Sequence, residues 1–187
     1  MTPLATDRAP TSIRLTPTGE DHRIARLAAL AIGLSLAEAA IPSPVPGVKP
    51  GLANIVTLVV LERYGLRTAA WVSLLRVVAG SILLGTFLSP TFLMSLAGAL
   101  ASLAALIPCQ VIPARLLGPV GKSIVAALAH IGGQLVVAWA WLIPGSGLLY
   151  LAPPLAAAAV VFGVVNGVAA AGLLSGRASD SGGGPRR

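Results

Sequence analysis

A proline- and glycine-rich stretch at residues 42–51, PSPVPGVKPG, decides how this chain can fold. Its four prolines and two glycines cannot continue a helix, yet long apolar runs lie on both sides of it. Non-helical backbone at membrane depth must be buried in protein or line a cavity. The stretch therefore predicts a break between two apolar helices, with a cavity beside it.

The composition around this stretch is that of a membrane protein. The chain has 187 residues, of which 56% are hydrophobic and 10% are charged, and its mean hydropathy is +0.88. A soluble domain carries about a quarter charged residues, so a water-soluble globule is excluded. Most of the apolar segments are long enough to cross about 30 Å of hydrocarbon, although the second is short. The six predicted segments are 24–41, 51–64, 68–88, 91–108, 122–143 and 153–174.

These segments predict an all-α, polytopic protein with six transmembrane helices in one membrane domain, residues 24–175. Disordered cytoplasmic tails are predicted at 1–23 and 176–187, because both are polar and rich in glycine, proline or charge.

The basic residues predict the orientation of the chain. They cluster before the first segment and after the second, fourth and sixth, while the alternate loops contain only Lys49. By the positive-inside rule both termini are cytoplasmic, and the chain lies in the cell (inner) membrane. Residues 27–36 followed by 37–39 also fit a signal peptide with an A-x-A-like cleavage site. Its removal would spoil the charge alternation. The residues that carry the predicted inner charge are Arg23, Arg26, Arg63, Arg67, Arg115, Lys122, Arg177, Arg186 and Arg187.

The sequence lacks the motifs of several classes of function. The net charge of +7 is not concentrated on a basic module with interleaved aromatics, so no nucleic acid partner is predicted. Cys109 is the only cysteine, and no catalytic or nucleotide-binding motif occurs. The three aspartates, Asp7, Asp21 and Asp180, all lie in the predicted tails. We therefore expect no enzyme activity, no cofactor and no metal site.

Polar residues inside the apolar runs are the candidate site, since such groups are costly in a membrane and mark function or buried pairs. Together with the start of the second helix, the basic ones favour a small anionic solute in one outward-facing cavity. Two structural alternatives stay open: Glu38 neutralises Arg76, and His130 and Gln134 bond across helices. Asn166 is a further polar residue, in the sixth segment. The predicted ligand residues are Glu38, Lys49, Asn54, Arg76, His130 and Gln134.

Small residues recur every four positions along the first segment, at Ala25, Ala29, Gly33 and Ala37. Such a ladder lets another helix approach closely. It predicts contact with a partner helix, and the alternative is packing against the chain's own helices.

The run from Glu38 to Asn54 resembles the E..IP.P.PGVK.GLAN signature of the Gx transporter family, which is also labelled heptaprenyl diphosphate synthase component I. The resemblance covers about residues 27–145. The further matching stretches are Arg76, residues 85–90, residues 95–99, residues 121–124 and residues 130–134.

The family is similar to the substrate-binding S components of energy-coupling factor transporters. This resemblance implies six helices and capture of a small nutrient on the outer side. It also implies a transmembrane coupling subunit, contacted by the small-residue ladder, and two ATPase subunits in trans. The function expected is a solute-binding subunit of an uptake transporter. The alternatives are an accessory membrane subunit of isoprenoid synthesis and a scaffold without a ligand.

Overall fold

The protein is helical throughout the residues that the structure, a computed structural model, describes: 17–40, 51–142 and 147–180. No strand occurs within these ranges, which confirms the all-α class. A five-residue π-helical turn, Ala138–Leu142, extends the fourth helix. The α-helices are α1 (Gly19–Ala40), α2 (Leu52–Leu83), α3 (Pro90–Cys109), α4 (Pro119–Val137) and α5 (Gly147–Asp180).

The start of α1 is fixed by a reciprocal cap. The Thr18 hydroxyl accepts the Asp21 backbone N–H at 3.3 Å, and the Asp21 carboxylate accepts the Thr18 backbone N–H at 2.8 Å. These bonds satisfy donors that every helix leaves unpaired at its start. The helix therefore begins at Gly19, inside the stretch 1–23 that was predicted as a tail. Similarly, α5 extends into the predicted tail 176–187, and residues 1–16 and 181–187 lie outside the described residues.

Helix α2 doubles back on itself at Gly65, whose φ of 81° and ψ of 176° are not helical. The Arg76 Nη2 donates to the Asn54 Oδ1 at 3.2 Å. In a straight helix these residues, 22 positions apart, would be separated by about 33 Å. The two arms, 52–64 and 66–83, are therefore antiparallel. They correspond to the second and third predicted segments.

The later helices also run antiparallel, and glycines allow their close approach. A side chain added at Gly133 in α4 would come within 2.6 Å of the Ala97 carbonyl oxygen in α3. One added at Gly163 in α5 would come within 3.0 Å of the Ile124 backbone in α4. Backbone-to-backbone contact of this kind is typical of helices packed in a membrane.

The outer surface of the bundle is apolar. Large side chains such as Val111, Leu116 and Tyr150 are 84%, 74% and 82% exposed, as expected for a surface that faces lipid rather than water. The main core lies where α1, both arms of α2 and α3 meet. Its fully or nearly buried members are Ala31, Val56, Val60, Leu61, Ala69, Val72, Leu106 and Cys109.

Four helical stretches are long and apolar enough to cross a membrane, by length and composition. They are Leu52–Leu83, Pro90–Cys109, Pro119–Leu142 and Tyr150–Gly176. The six transmembrane helices predicted from the sequence are thus not confirmed. Among the described helices α1 falls short, since its most apolar part still carries Arg23, Arg26 and Glu38, and the two arms of α2 count as one element.

Lys122 has a structural role in addition to its place among the predicted topology signals. It begins the predicted fifth segment, 122–143, and it lies in the first turn of α4, where it is only 7% exposed. Its ammonium group pairs with the Glu62 carboxylate in the first arm of α2 at 2.8 Å. Lys122 is therefore a structural group between two helices. The side of the membrane on which this end lies stays a prediction.

Candidate functional site

One cavity of about 250 Å³, here called the main cavity, brings together five of the six predicted ligand residues. All five helices contribute to its wall. Lys49, the sixth residue, lies outside the described residues. The predicted residues on the wall are Glu38, Asn54, Arg76, His130 and Gln134.

The first polar element of the cavity is the start of α2. Glu38, which is 6% exposed at the end of α1, accepts the backbone N–H of Gly51. Gly51 has a left-handed φ of 73°, which glycine adopts at no steric cost. A carboxylate at a helix N-terminus is stabilised by the unpaired N–H groups and the helix dipole. The Glu38 carboxylate is thus stabilised by the N-terminus of α2.

Arg76 projects from the second arm of α2 towards this terminus. Its Nη2 donates to Asn54, whereas its Nε is buried and has no hydrogen-bond partner within the described ranges. It makes no ion pair with Glu38 within 4.0 Å, and the ion pair found in the described part of the chain is Lys122–Glu62. The direct Glu38–Arg76 pair left open by the sequence is therefore not formed.

His130 and Gln134 form the α4 side of the cavity. Their Nε2 atoms are 3.1 Å apart, so the two side chains bond to each other along one helix face. The His130 ring also bonds to the Gly98 backbone in α3, which is a contact across helices. The His130 ring lies against Gly98 in α3, where an added side chain would come within 2.7 Å of it. Gly98 therefore makes room for the imidazole beside the cavity.

Other polar residues of the wall were missed or left unassigned by the sequence. Asn166 in α5 is 4% exposed and donates from its Nδ2 to the Gly51 carbonyl at 3.3 Å. As an amide within an apolar run it carried a signal, but it was not assigned to the site. Serine and threonine are common in membrane helices and carry no such signal. The hydroxyl-bearing residues of the wall are Ser35, Ser81, Thr86, Thr91 and Ser95.

The small-residue ladder of α1 lies on the outer surface. All four of its members are exposed, and a side chain added at Gly33 would meet no other described residue within 4 Å. The alternative of packing against the chain's own helices is not observed in the described part. The ladder is Ala25, Ala29, Gly33 and Ala37.

The site thus combines an apolar wall with a few convergent polar groups, the arrangement of a small-molecule site. Its one guanidinium suits an anionic group. No cluster of three or more His, Cys, Asp or Glu side chains that could hold a metal occurs within residues 17–40, 51–142 and 147–180.

Comparison with known proteins gives one family. The model of the family described as heptaprenyl diphosphate synthase component I matches residues 27–173. No curated protein and no solved structure matches the chain significantly. The matched range contains every described residue of the main cavity wall.

Proposed function

Because the chain belongs to the heptaprenyl diphosphate synthase component I family, and because its polar residues converge on one cavity, we propose that it is the membrane-embedded solute-binding subunit of a small-molecule uptake transporter. The observation that carries this proposal is the placement of Glu38, Asn54, Arg76, His130 and Gln134 around the main cavity.

The size of the main cavity favours a small solute. Pockets for drug-sized ligands measure about 300–1,000 Å³, and this one has about 250 Å³. The cavity is therefore suited to a small metabolite.

The charge of the wall favours an anionic solute. The Arg76 guanidinium lines the main cavity and lacks a direct carboxylate partner within the described ranges. A buried arginine needs compensation by an acceptor, and a bound carboxylate or phosphate supplies one. The Glu38 carboxylate, already held by the Gly51 N–H, limits the net positive charge and so favours a singly charged anion.

Transport needs partners in this proposal. We propose a transmembrane coupling subunit and ATPase subunits in trans, with the exposed face of α1 as the contact, because its small residues leave room for a second helix. The chain itself is proposed to have no enzyme activity. In this arrangement both termini are cytoplasmic, and the cavity opens to the outer side of the cell membrane.

The family description favours one second candidate, an accessory membrane subunit of heptaprenyl diphosphate synthesis without catalytic residues of its own. This candidate predicts that the chain co-purifies with a soluble, aspartate-rich synthase. The transporter proposal predicts co-purification with a coupling subunit and ATPases instead. The two are therefore separated by affinity purification from the native membrane.

Solute binding is tested by thermal unfolding of the purified protein against a panel of small nutrients and isoprenoid phosphates. A ligand at 100 times its Kd adds about 2.7 kcal/mol of stability. Arg76→Gln keeps a donor for Asn54 but loses the charge, so the affinity for an anionic solute falls about 10- to 150-fold, the worth of one hydrogen bond to a charged group.

Arg115→Gln is the matched control, because Arg115 is exposed and lies outside the main cavity. It should leave both the unfolding midpoint and the affinity unchanged. A panel in which no compound raises the midpoint, or a solute that binds Arg76→Gln as tightly as the wild type, contradicts the proposed function.

A further inference from the structure

The second arm of α2 carries a row of exposed side chains along one side, here called the α2 stripe. Its members are spaced by four, four and three residues, so they lie one above the other on the helix surface. The residues between them, such as Val72 and Val77, are buried. The stripe consists of Arg67, Trp71, Leu75 and Val78, all exposed.

The chemistry of the α2 stripe changes in order along the arm. A guanidinium comes first, next to the Gly65 turn, then the Trp71 indole, which is 51% exposed, and then two aliphatic side chains. Arg67 and Val78 are 11 positions apart, or about 17 Å along a helix, which is about half of a 30 Å hydrocarbon core. Charge, aromatic ring and aliphatic surface follow one another in the same order from the headgroups to the middle of a bilayer.

The charged end of the α2 stripe keeps an excess of positive charge. Arg63 and Arg67 flank the Gly65 turn and are exposed, and neither forms an ion pair in the part of the chain that the structure describes. Glu62, the carboxylate nearest to them in sequence, pairs with Lys122 instead. Asp21 accepts two hydrogen bonds from Thr18, which lower its pKa, and the more distant charge of Arg67 adds to this effect. Asp21 thus compensates Arg67 only in part.

A third arginine is held at the same turn by an aromatic contact. The Arg23 guanidinium in α1 lies over the Tyr64 ring, with its central carbon 4.8 Å from the ring centroid. This contact brings the charge of Arg23 next to the turn that Arg63 and Arg67 flank. A guanidinium stacked on a ring by its flat face keeps the N–H groups of its edge available to a phosphate.

We propose that the α2 stripe and the Gly65 turn form a binding site for an anionic phospholipid of the surrounding membrane. Arg63 and Arg67 bind the phosphate of the headgroup, and an acyl chain lies along Trp71, Leu75 and Val78. Basic surfaces at the ends of transmembrane helices bind anionic headgroups in this way. An acidic segment of a partner protein would match the arginines but not the aliphatic part of the stripe, so the lipid is favoured. The site is separate from the main cavity, and neither proposal requires the other.

Quenching of tryptophan fluorescence by brominated lipids tests this site in bilayers. The chain has three tryptophans, so the Trp139→Phe/Trp141→Phe variant of the full chain reports on Trp71 alone. Phosphatidylglycerol brominated on its acyl chains should quench Trp71 at lower mole fraction than brominated phosphatidylcholine. The preference should be about 5-fold for each arginine that contacts the phosphate, and about 25-fold for two.

Two matched controls use the chain's own residues. In the same background, Arg63→Gln/Arg67→Gln should reduce the preference to about 1, whereas Arg115→Gln, which removes another exposed arginine, should keep it. The Trp71→Phe/Trp139→Phe variant reports on Trp141, which is exposed but far from the Gly65 turn in sequence. It should show no preference between the two lipids.

Equal quenching of Trp71 by the two lipids would overturn the proposal and leave the arginines to an acidic partner protein. A preference that survives Arg63→Gln/Arg67→Gln, or that is equally strong at Trp141, would also overturn it, because it would not arise at this site. Free glycerol 3-phosphate should not displace the brominated phosphatidylglycerol. Complete displacement would mean that the site binds a soluble phosphate rather than a lipid.

Discussion

The ion pair between Lys122 and Glu62 gives the sharpest test of how α2 and α4 pack. The two side chains are 60 positions apart in sequence and 2.8 Å apart in space. Replacing either one alone leaves the other without its partner, but the two remaining charges are not equally placed. Lys122 is buried, whereas Glu62 is partly exposed. We therefore expect the two single substitutions to differ in cost.

The magnitudes follow from this burial. At an effective dielectric constant of about 20, charges 2.8 Å apart attract by about 6 kcal/mol before desolvation is subtracted. Glu62→Gln strands the buried ammonium group and should cost about 3 kcal/mol, the low end for a broken buried pair. Lys122→Met leaves a carboxylate that water reaches, and should cost about 1 kcal/mol. The double substitution should cost little more than Lys122→Met alone, which gives a coupling energy of about 3 kcal/mol.

Thermal unfolding of the four proteins in one detergent measures this cycle. Glu62→Gln should lower the midpoint by about 6–12 °C, and Lys122→Met by about 2–4 °C. Arg115→Gln, which removes an exposed charge in the loop between α3 and α4, is the control and should change nothing. Equal losses from the two single substitutions, or a double variant that loses their sum, would refute the packing of α2 against α4 described above.

Three further predictions test topology, coupling and capping. In a chain whose native cysteine is replaced, Tyr150→Cys should react with an impermeant thiol reagent from outside and Arg115→Cys should not. The reverse pattern would mean that the chain has the opposite orientation. Gly33→Leu should keep solute binding but abolish transport, and unchanged transport at normal expression would remove the ladder as a contact. The pKa of Asp21 is lowered by its hydrogen bonds from Thr18, so the cap is fully present above the usual carboxyl pKa and lost as the pH falls through the lowered one. Hydrogen exchange of the first turn of α1 should accelerate over that range in the wild type but not in Thr18→Ala.

The candidate site could be predicted because charges and amides are rare in apolar helices. Glu38, Arg76 and His130 stood out for that reason alone, since each costs free energy in a membrane unless it has a use. Their convergence required only that the helices alternate in direction. The exact partners could not be predicted, because the bond from Arg76 to Asn54 requires the reversal of α2 at Gly65, which the sequence pattern does not show.

Lys122 shows why the remaining features were missed. A basic residue near the end of an apolar run is typical of a loop at the membrane surface. Only the tertiary contact with Glu62 turns it into a buried group. The start of α1 was missed for a local reason, because the Thr18–Asp21 cap lies in a polar stretch whose composition favours disorder.

The reversal of α2 explains why the site lies next to the proline- and glycine-rich stretch. The first arm has 13 residues from Leu52 to Tyr64 and is about 20 Å long, roughly 10 Å less than the hydrocarbon core. If the Gly65 turn lies at one membrane face, the start of the arm lies within the bilayer. The α2 N-terminus then exposes its unpaired N–H groups at a depth where water is scarce, and Glu38 and Asn166 both bond to Gly51 there. Because the first arm is short, the polar groups at the start of α2 and the space beside them then lie inside the bilayer. A solute site in a membrane requires both.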